Sequence, residues 1–116
     1  MGRVVALMDD LFFQMKLAET AKQLGIEVKV AANPDALAAL LQPPTKLVIV
    51  DLNARNQPLQ AIERVHAEQN GVRVVAFLSH VQTELAAQAR AAGCKEVLPR
   101  SSFTQHLPAI LSSAKD

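Results

Sequence analysis

Five short apolar runs punctuate the chain, and each is followed by a segment with helical periodicity. Val4–Met8 is an unbroken apolar run of buried-strand length. Leu11–Leu24 then puts Leu17, Ala18, Ala21 and Leu24 on one helical face and Lys16, Glu19, Lys22 and Gln23 elsewhere. Gly25 stands where a helix C-cap glycine belongs. Ile26–Ala31 alternates Ile26, Val28 and Val30 with Glu27 and Lys29, the period of a strand. Asn33-Pro34-Asp35 reads as an N-cap, a first-turn proline and an acidic first turn. The helix it opens runs through Leu41, and Pro43-Pro44 stops it. Leu47–Val50 is Leu-Val-Ile-Val and leads into Asp51; continuous hydrophobicity predicts a strand buried on both faces. The pattern then predicts a helix over Pro58–Gln69 ended by Asn70-Gly71, and a strand over Val72–Leu78. A helix over Val81–Ala92 ended by Gly93 and a short strand over Glu96–Leu98 follow. A last helix, capped by Ser101 or Ser102, reaches Ser112.

Strands alternating with helices imply parallel strands joined by right-handed crossovers, with helices on both faces. Five such units, (βα)5, suit an α/β fold: a doubly wound five-stranded parallel sheet in the flavodoxin-like order 2-1-3-4-5. A closed eight-stranded barrel needs about twice this chain. Residues 1–116 are expected to form one domain with no output domain attached. No internal repeat or low-complexity stretch interrupts the pattern.

Composition narrows the function classes. Twelve Lys and Arg against eleven Asp and Glu leave a net charge of +1, so no basic excess points to nucleic acid. With no Trp or Tyr and four Phe, a stacking platform for single strands is not expected. One cysteine, Cys94, excludes an intramolecular disulfide and a Cys-rich zinc module. Apolar runs fall well short of the roughly 20 residues of a membrane span. The first run meets Asp9-Asp10 before it reaches signal-peptide length. A cytoplasmic protein is expected, with neither membrane nor nucleic acid as a partner.

In open α/β sheets the site lies at the carboxyl ends of the strands. There stand Asp9 and Asp10 after strand one, Asp51 after strand three, Ser79 after strand four and Arg100 after strand five. Strands one and three are neighbours in the expected order, which brings their carboxylates close together. Clustered carboxylates repel, and a hard cation such as Mg²⁺ relieves the repulsion using one or two carboxylates, waters and phosphate oxygens. Ser79 is suited to hydrogen-bond a phosphoryl oxygen and Arg100 to pair with it bidentately. These residues describe a small Mg²⁺ and phosphoryl pocket around Asp51. Arg100 is also expected to pair with Asp51, a contact able to stand in for a metal.

The whole chain resembles the receiver domain of two-component response regulators. The residues that carry the resemblance are Asp9-Asp10, Leu47-Val-Ile-Val-Asp51-Leu-Asn53 and Val75-Ala-Phe-Leu-Ser79, with Ala92-Gly93 and Val97-Leu-Pro-Arg100. The resemblance implies that Asp51 accepts a phosphoryl group from a histidine kinase or phosphotransfer protein. It implies that Asp9, Asp10 and Asp51 hold Mg²⁺, that a backbone carbonyl of Asn53 completes the metal shell, and that Ser79 senses the phosphoryl group. It implies a signalling domain rather than an enzyme, with no catalytic residue of its own. Its expected partner face is helix four, strand five and helix five, about Val81–Ser112, toward a downstream protein.

The chain also departs from receivers. They carry lysine, usually followed by proline, at the end of strand five; this chain has Arg100-Ser101. Arg keeps the charge but is a longer planar fork. Val97 replaces an aromatic switch residue, and Asn53–Gln57 replaces the usual loop, adding Arg55 beside the site. These departures favour an alternative, a pseudo-receiver that acts as a phosphorylation-independent protein-interaction module. An unrelated enzyme on the same fold fits poorly, because no Gly-rich turn follows strand one.

Other residues have plainer readings. His80 beside Ser79 is not a triad, and His66 and His106 are expected on solvated helix faces. Cys94 is expected as a small residue at a helix-to-strand turn. Phe12 and Phe13 are adjacent at a helix start, so one of them is expected to be exposed, as a contact for a partner.

Overall fold

The computed structural model describes residues 3–41, 45–68, 71–79 and 82–114. The expected stop at Pro43-Pro44, the helix end at Gln69 and Asn70, the helix start at Val81, and His80 all lie outside the described residues. Five strands alternate with five helices: β1 (Arg3–Leu7), α1 (Leu11–Leu24), β2 (Glu27–Ala31), α2 (Pro34–Leu40), β3 (Thr45–Asp51), α3 (Pro58–Glu68), β4 (Arg73–Leu78), α4 (Thr83–Ala91), β5 (Glu96–Pro99) and α5 (Arg100–Ser112). Every strand pairing is parallel and the order is β2-β1-β3-β4-β5, as the alternation predicts. Among the described residues no helix is long and apolar enough to cross a membrane.

The period of two along the strands divides the core into two layers. Val4, Ala6, Leu47, Ile49, Val75 and Phe77 face α1 and α5, packing on Leu17, Phe103 and Leu107. Val5, Leu7, Val48, Val50, Ala76 and Leu78 face the other side, against Leu37 of α2, Ile62 and Val65 of α3 and Ala89 of α4. The central strands are therefore apolar on both faces, which is why β3 reads as a continuous run. Burying one Leu, Ile, Val or Phe contributes about 1.5–3 kcal/mol, so these layers supply the main driving force. At the sheet edge the alternation of β2 is only partly used: Val30 is 42% exposed.

Local signals set the helix ends. The Asp10 side chain accepts a hydrogen bond from Phe13 N–H and caps α1, and Gly25 closes that helix in the left-handed region at φ 72°. Asn33 caps α2 through Ala36 N–H at 2.7 Å, with Pro34 at the first helical position. One expectation is corrected. The last helix starts at Arg100 with Pro99 as its N-cap, not at Ser101 or Ser102. Proline's fixed φ suits that entry, and no side chain is needed to bend the chain into it. Helix α4 starts at Thr83 with Gln82 at its N-cap and no side-chain capping bond.

Candidate functional site

Strand β3 carries Asp51 to the carboxyl edge of the sheet as its last residue. Alternation puts it in the row of Leu47 and Ile49, on the face covered by α1 and α5. Across the ladder Asp51 is the partner of Phe77 in β4, and Phe77 is the partner of Leu98 in β5. Asp51 is 2% exposed, one of two polar residues buried in the described chain. Burial pushes its carboxyl above the usual carboxylate range, and nearby Asp9 and Asp10 push the same way. Two contacts work against this: Asn53 N–H donates to Oδ1 at 2.9 Å, and the Arg100 charge lies nearby.

Arg100 reaches back from the first residue of α5. Its Nη2 lies 3.5 Å from Asp51 Oδ2 and its Nη1 lies 3.4 Å from Asp10 Oδ2. One guanidinium therefore spans the carboxylates that end β3 and precede α1. Both contacts are longer than a tight charge-assisted hydrogen bond, which runs about 2.7–2.9 Å. The group also lies over two rings, with Cζ 5.0 Å from the centroid of Phe13 and 5.2 Å from that of Phe77. Cation–π attraction at such distances adds to the ion pairs. The rings belong to a buried cluster: Phe13 and Phe77 are 5.0 Å apart, and Phe77 stacks on Phe103 at 4.5 Å.

The remaining expected residues form the loops around this centre. Asp9 Oδ2 accepts from the backbone N–H of Arg55 at 2.9 Å, tying the loop after β1 to the loop after β3. Asn53 Oδ1 accepts from Ser79 N–H at 2.6 Å, and its Nδ2 donates to Gln82 Oε1 at 2.9 Å. Asn53 is thus a strut between the loops after β3 and β4, through its side chain. Ser79 is exposed directly after β4. The structure brings Asp10, Asp51 and Arg100 into direct contact; Asp9, Asn53 and Ser79 stand around them.

The donor set is one of hard oxygens with a surplus of carboxylates over cations, which fits Mg²⁺. Asp10 and Asp51 are the side chains that would hold such an ion, with Asp9 beside them. Among the described residues no three His, Cys, Asp or Glu side chains form a ready-made metal cage.

Several participants were not read from the sequence. Phe13 and Phe77 as a floor beneath Arg100 follow from the β3–β4 register and from α1 starting at Leu11, neither visible as a motif. Gln82 carried no signal as the partner of Asn53. Gln57, in the loop after β3, has a positive φ of 62°, which its residue type does not advertise. Of the adjacent pair, Phe13 is buried while Phe12 is 87% exposed, beside exposed Leu11 and Met15. His66 is exposed on α3, and His106 is exposed with Nδ1 2.9 Å from Ser102 O. Cys94 is buried at the turn into β5, and burial pushes its thiol up.

Comparison with protein-family models and with curated protein sequences returns no match. Solved structures do match. A chemotaxis protein CheY4 of Vibrio cholerae aligns with a TM-score of 0.83 at 18% identity, over 99% of each chain. The non-phosphorylated HemR receiver domain of Leptospira biflexa aligns with a TM-score of 0.78 at 18% identity, over 100% of this chain and 98% of that one. A response regulator of Burkholderia pseudomallei, solved with a phosphorylated aspartic acid and a calcium ion, gives 0.80 at 22%, over 96% of this chain and 66% of that one. At these identities the likeness is one of fold, and the fold is that of response-regulator receiver domains.

Proposed function

We propose that this chain is a receiver-like signalling domain in which Asp51 accepts a phosphoryl group. The supporting observation is a buried carboxylate at the carboxyl edge of a receiver-type sheet, faced by Arg100 and neighboured by Asp9 and Asp10. An oxygen of ionised Asp51 attacks the phosphorus of a phosphorylated histidine or small acyl phosphate. A P–O bond forms while the bond to the donor breaks, and the donor leaves with the electron pair. Mg²⁺, when bound, offsets the charge shared by the carboxylates and the phosphoryl oxygens. Arg100 supplies a positive charge beside the acceptor, and Ser79, at the rim, takes a phosphoryl oxygen. The donor is a histidine kinase or phosphotransfer protein. The product is read by a downstream protein on the face formed by α4, β5 and α5, while exposed Phe12 offers a second contact beside the site.

One observation favours a second reading. Arg100 already spans Asp10 and Asp51, so the site has a resident counter-ion without metal or phosphate. A permanently held pair suits a phosphorylation-independent interaction module. Amide spectra recorded with Mg²⁺ and beryllofluoride, an acyl-phosphate mimic, separate the two. The receiver reading expects changes at Asp51, Ser79 and Arg100 that spread into α4 and β5. An unchanged spectrum overturns it.

A further inference from the structure

We propose that two copies of this chain join through β2, edge strand to edge strand and antiparallel, with each Val28 opposite its own copy, so that the two sheets become one. Pairing there needs nothing from Asp51, so it stands or falls apart from the phosphoacceptor reading.

The sheet has two edges, and they differ. β5 is four residues long and ends in Pro99, which cannot donate to a further ladder. β2 runs Glu-Val-Lys-Val-Ala over Glu27–Ala31, with neither proline nor glycine, and among the described strands it pairs only with β1. Its outer row of backbone N–H and C=O groups is therefore open to a further strand. Of the exposed large apolar side chains among the described residues, Val30 alone lies in a strand.

Charge and pattern select one antiparallel register. Glu27 and Lys29 share a face with Val5 and Ala31, while Val28 lies on the other face, against the cluster beneath α1. With Val28 opposite Val28, Glu27 of each copy faces Lys29 of the other, and Val30 faces Ile26 just before the strand. Opposite charges meet twice on one face, and apolar side chains meet on the other. Centring the pair on Glu27 or on Lys29 instead sets like charges directly opposite. Registers in between set valine against charge. Lys29 has no ion-pair partner among the described residues, and Glu27 meets Arg3 of β1 at a long 3.6 Å. Arg3, Glu27 and the second copy's Lys29 would alternate in sign across three adjacent strands. α1 covers one face of β2 and α2 the other. Strands about 4.8 Å apart and helices packed at about 8–10 Å let the helices of the two copies lie side by side over the joined edge.

The test is sedimentation velocity of the intact chain over a wide concentration range, for wild type, Glu27→Lys, Lys29→Glu and an equimolar mixture of the two variants. Wild type is expected to dimerise reversibly. Each variant alone sets like charges opposite at both positions, and its dimer is expected to weaken at least about tenfold. In the mixture each lysine again faces a glutamate, so a mixed dimer is expected at about wild-type strength. A wild type that stays monomeric throughout overturns the proposal. So does a dimer that either variant keeps, or a mixture that stays as weak as its components. Glu27→Lys also stands beside Arg3, so thermal melts check its folding; if it does not fold, Val28→Cys and Val30→Cys decide. Oxidation is expected to link Val28→Cys into a dimer at the two-fold axis and to leave Val30→Cys unlinked, with native Cys94 buried and out of reach. Linking of neither, or of both alike, overturns the pairing.

Discussion

Arg100 Nη2 and Asp51 Oδ2 lie 3.5 Å apart, joining the first residue of α5 to the last residue of β3. The contact spans 49 positions of sequence and exists only because β3, β4 and β5 lie side by side in register. It sets a buried, desolvated carboxylate against a cation that is itself partly exposed. Such an arrangement disfavours the folded state, because the buried carboxylate loses hydration that a long pair with a partly exposed cation replaces only in part.

Replacing Asp51 by Asn is therefore expected to stabilise the chain near neutral pH, by on the order of 1 kcal/mol. The carboxyl is pushed up in the folded state, chiefly by burial. A folded-state value above the unfolded one means the penalty is absent below the unfolded pKa, grows as pH rises toward the folded one, and is full above it. Thermal melts across pH should show the Asn variant ahead at neutral pH and the two converging in acid. A constant difference at all pH values contradicts this.

Gly93 is predicted to be irreplaceable by alanine without loss. Its φ is 119°, and an added Cβ would stand 2.7 Å from Cγ of the His66 ring. Gly93→Ala should cost about 2–4 kcal/mol from strain and overlap together. Adding His66→Ala removes the ring but keeps a Cβ at 2.9 Å from the new methyl, so it should recover only part of the overlap and none of the strain, leaving a residual loss of about 1–3 kcal/mol. Urea unfolding of the single and double variants measures both parts.

Gln57 sits at φ 62° immediately before Pro58, at the start of α3. The left-handed region costs an L-residue about 1–2 kcal/mol. Glycine removes that strain and returns about 0.5–1 kcal/mol as unfolded-state entropy. Gln57→Gly is thus expected to stabilise by up to about 1 kcal/mol, read as a higher denaturation midpoint at unchanged slope.

Arg73 holds Glu96 with two hydrogen bonds of 2.7 Å and lowers its carboxyl below the usual range. Both side chains are more than a third exposed, so the pair is screened by solvent. Glu96→Gln should cost less than about 1 kcal/mol. The sign is opposite to that at Asp51. The contribution of Glu96 is whole above its unfolded pKa and is lost as pH falls through the lowered folded value. Melts of wild type and Glu96→Gln should differ at neutral pH and coincide in acid.

Much of the fold was legible because local and global signals agree. Leu11–Leu24, Gly25 and the Asn33-Pro34 entry needed only caps and periodicity, and the strand order followed from alternation. The positions of Asp51 and Arg100 at strand ends were legible for the same reason. The start of α5 was misread because serine near a helix start suggests a cap, whereas Pro99 enters without one. The contact of Arg100 with Asp10, the rings beneath it and the Asn53–Gln82 strut depend on how three strands and two loops assemble. No periodicity or motif encodes those contacts.

The central claim is that Asp51 accepts phosphate, and the most direct measurement is the intact mass of the chain after incubation with acetyl phosphate and Mg²⁺. Wild type is expected to gain the mass of one phosphoryl group, with no gain in Asp51→Asn and none when Mg²⁺ is withheld. An unmodified mass in folded wild type, or an equal gain in Asp51→Asn, would contradict the account.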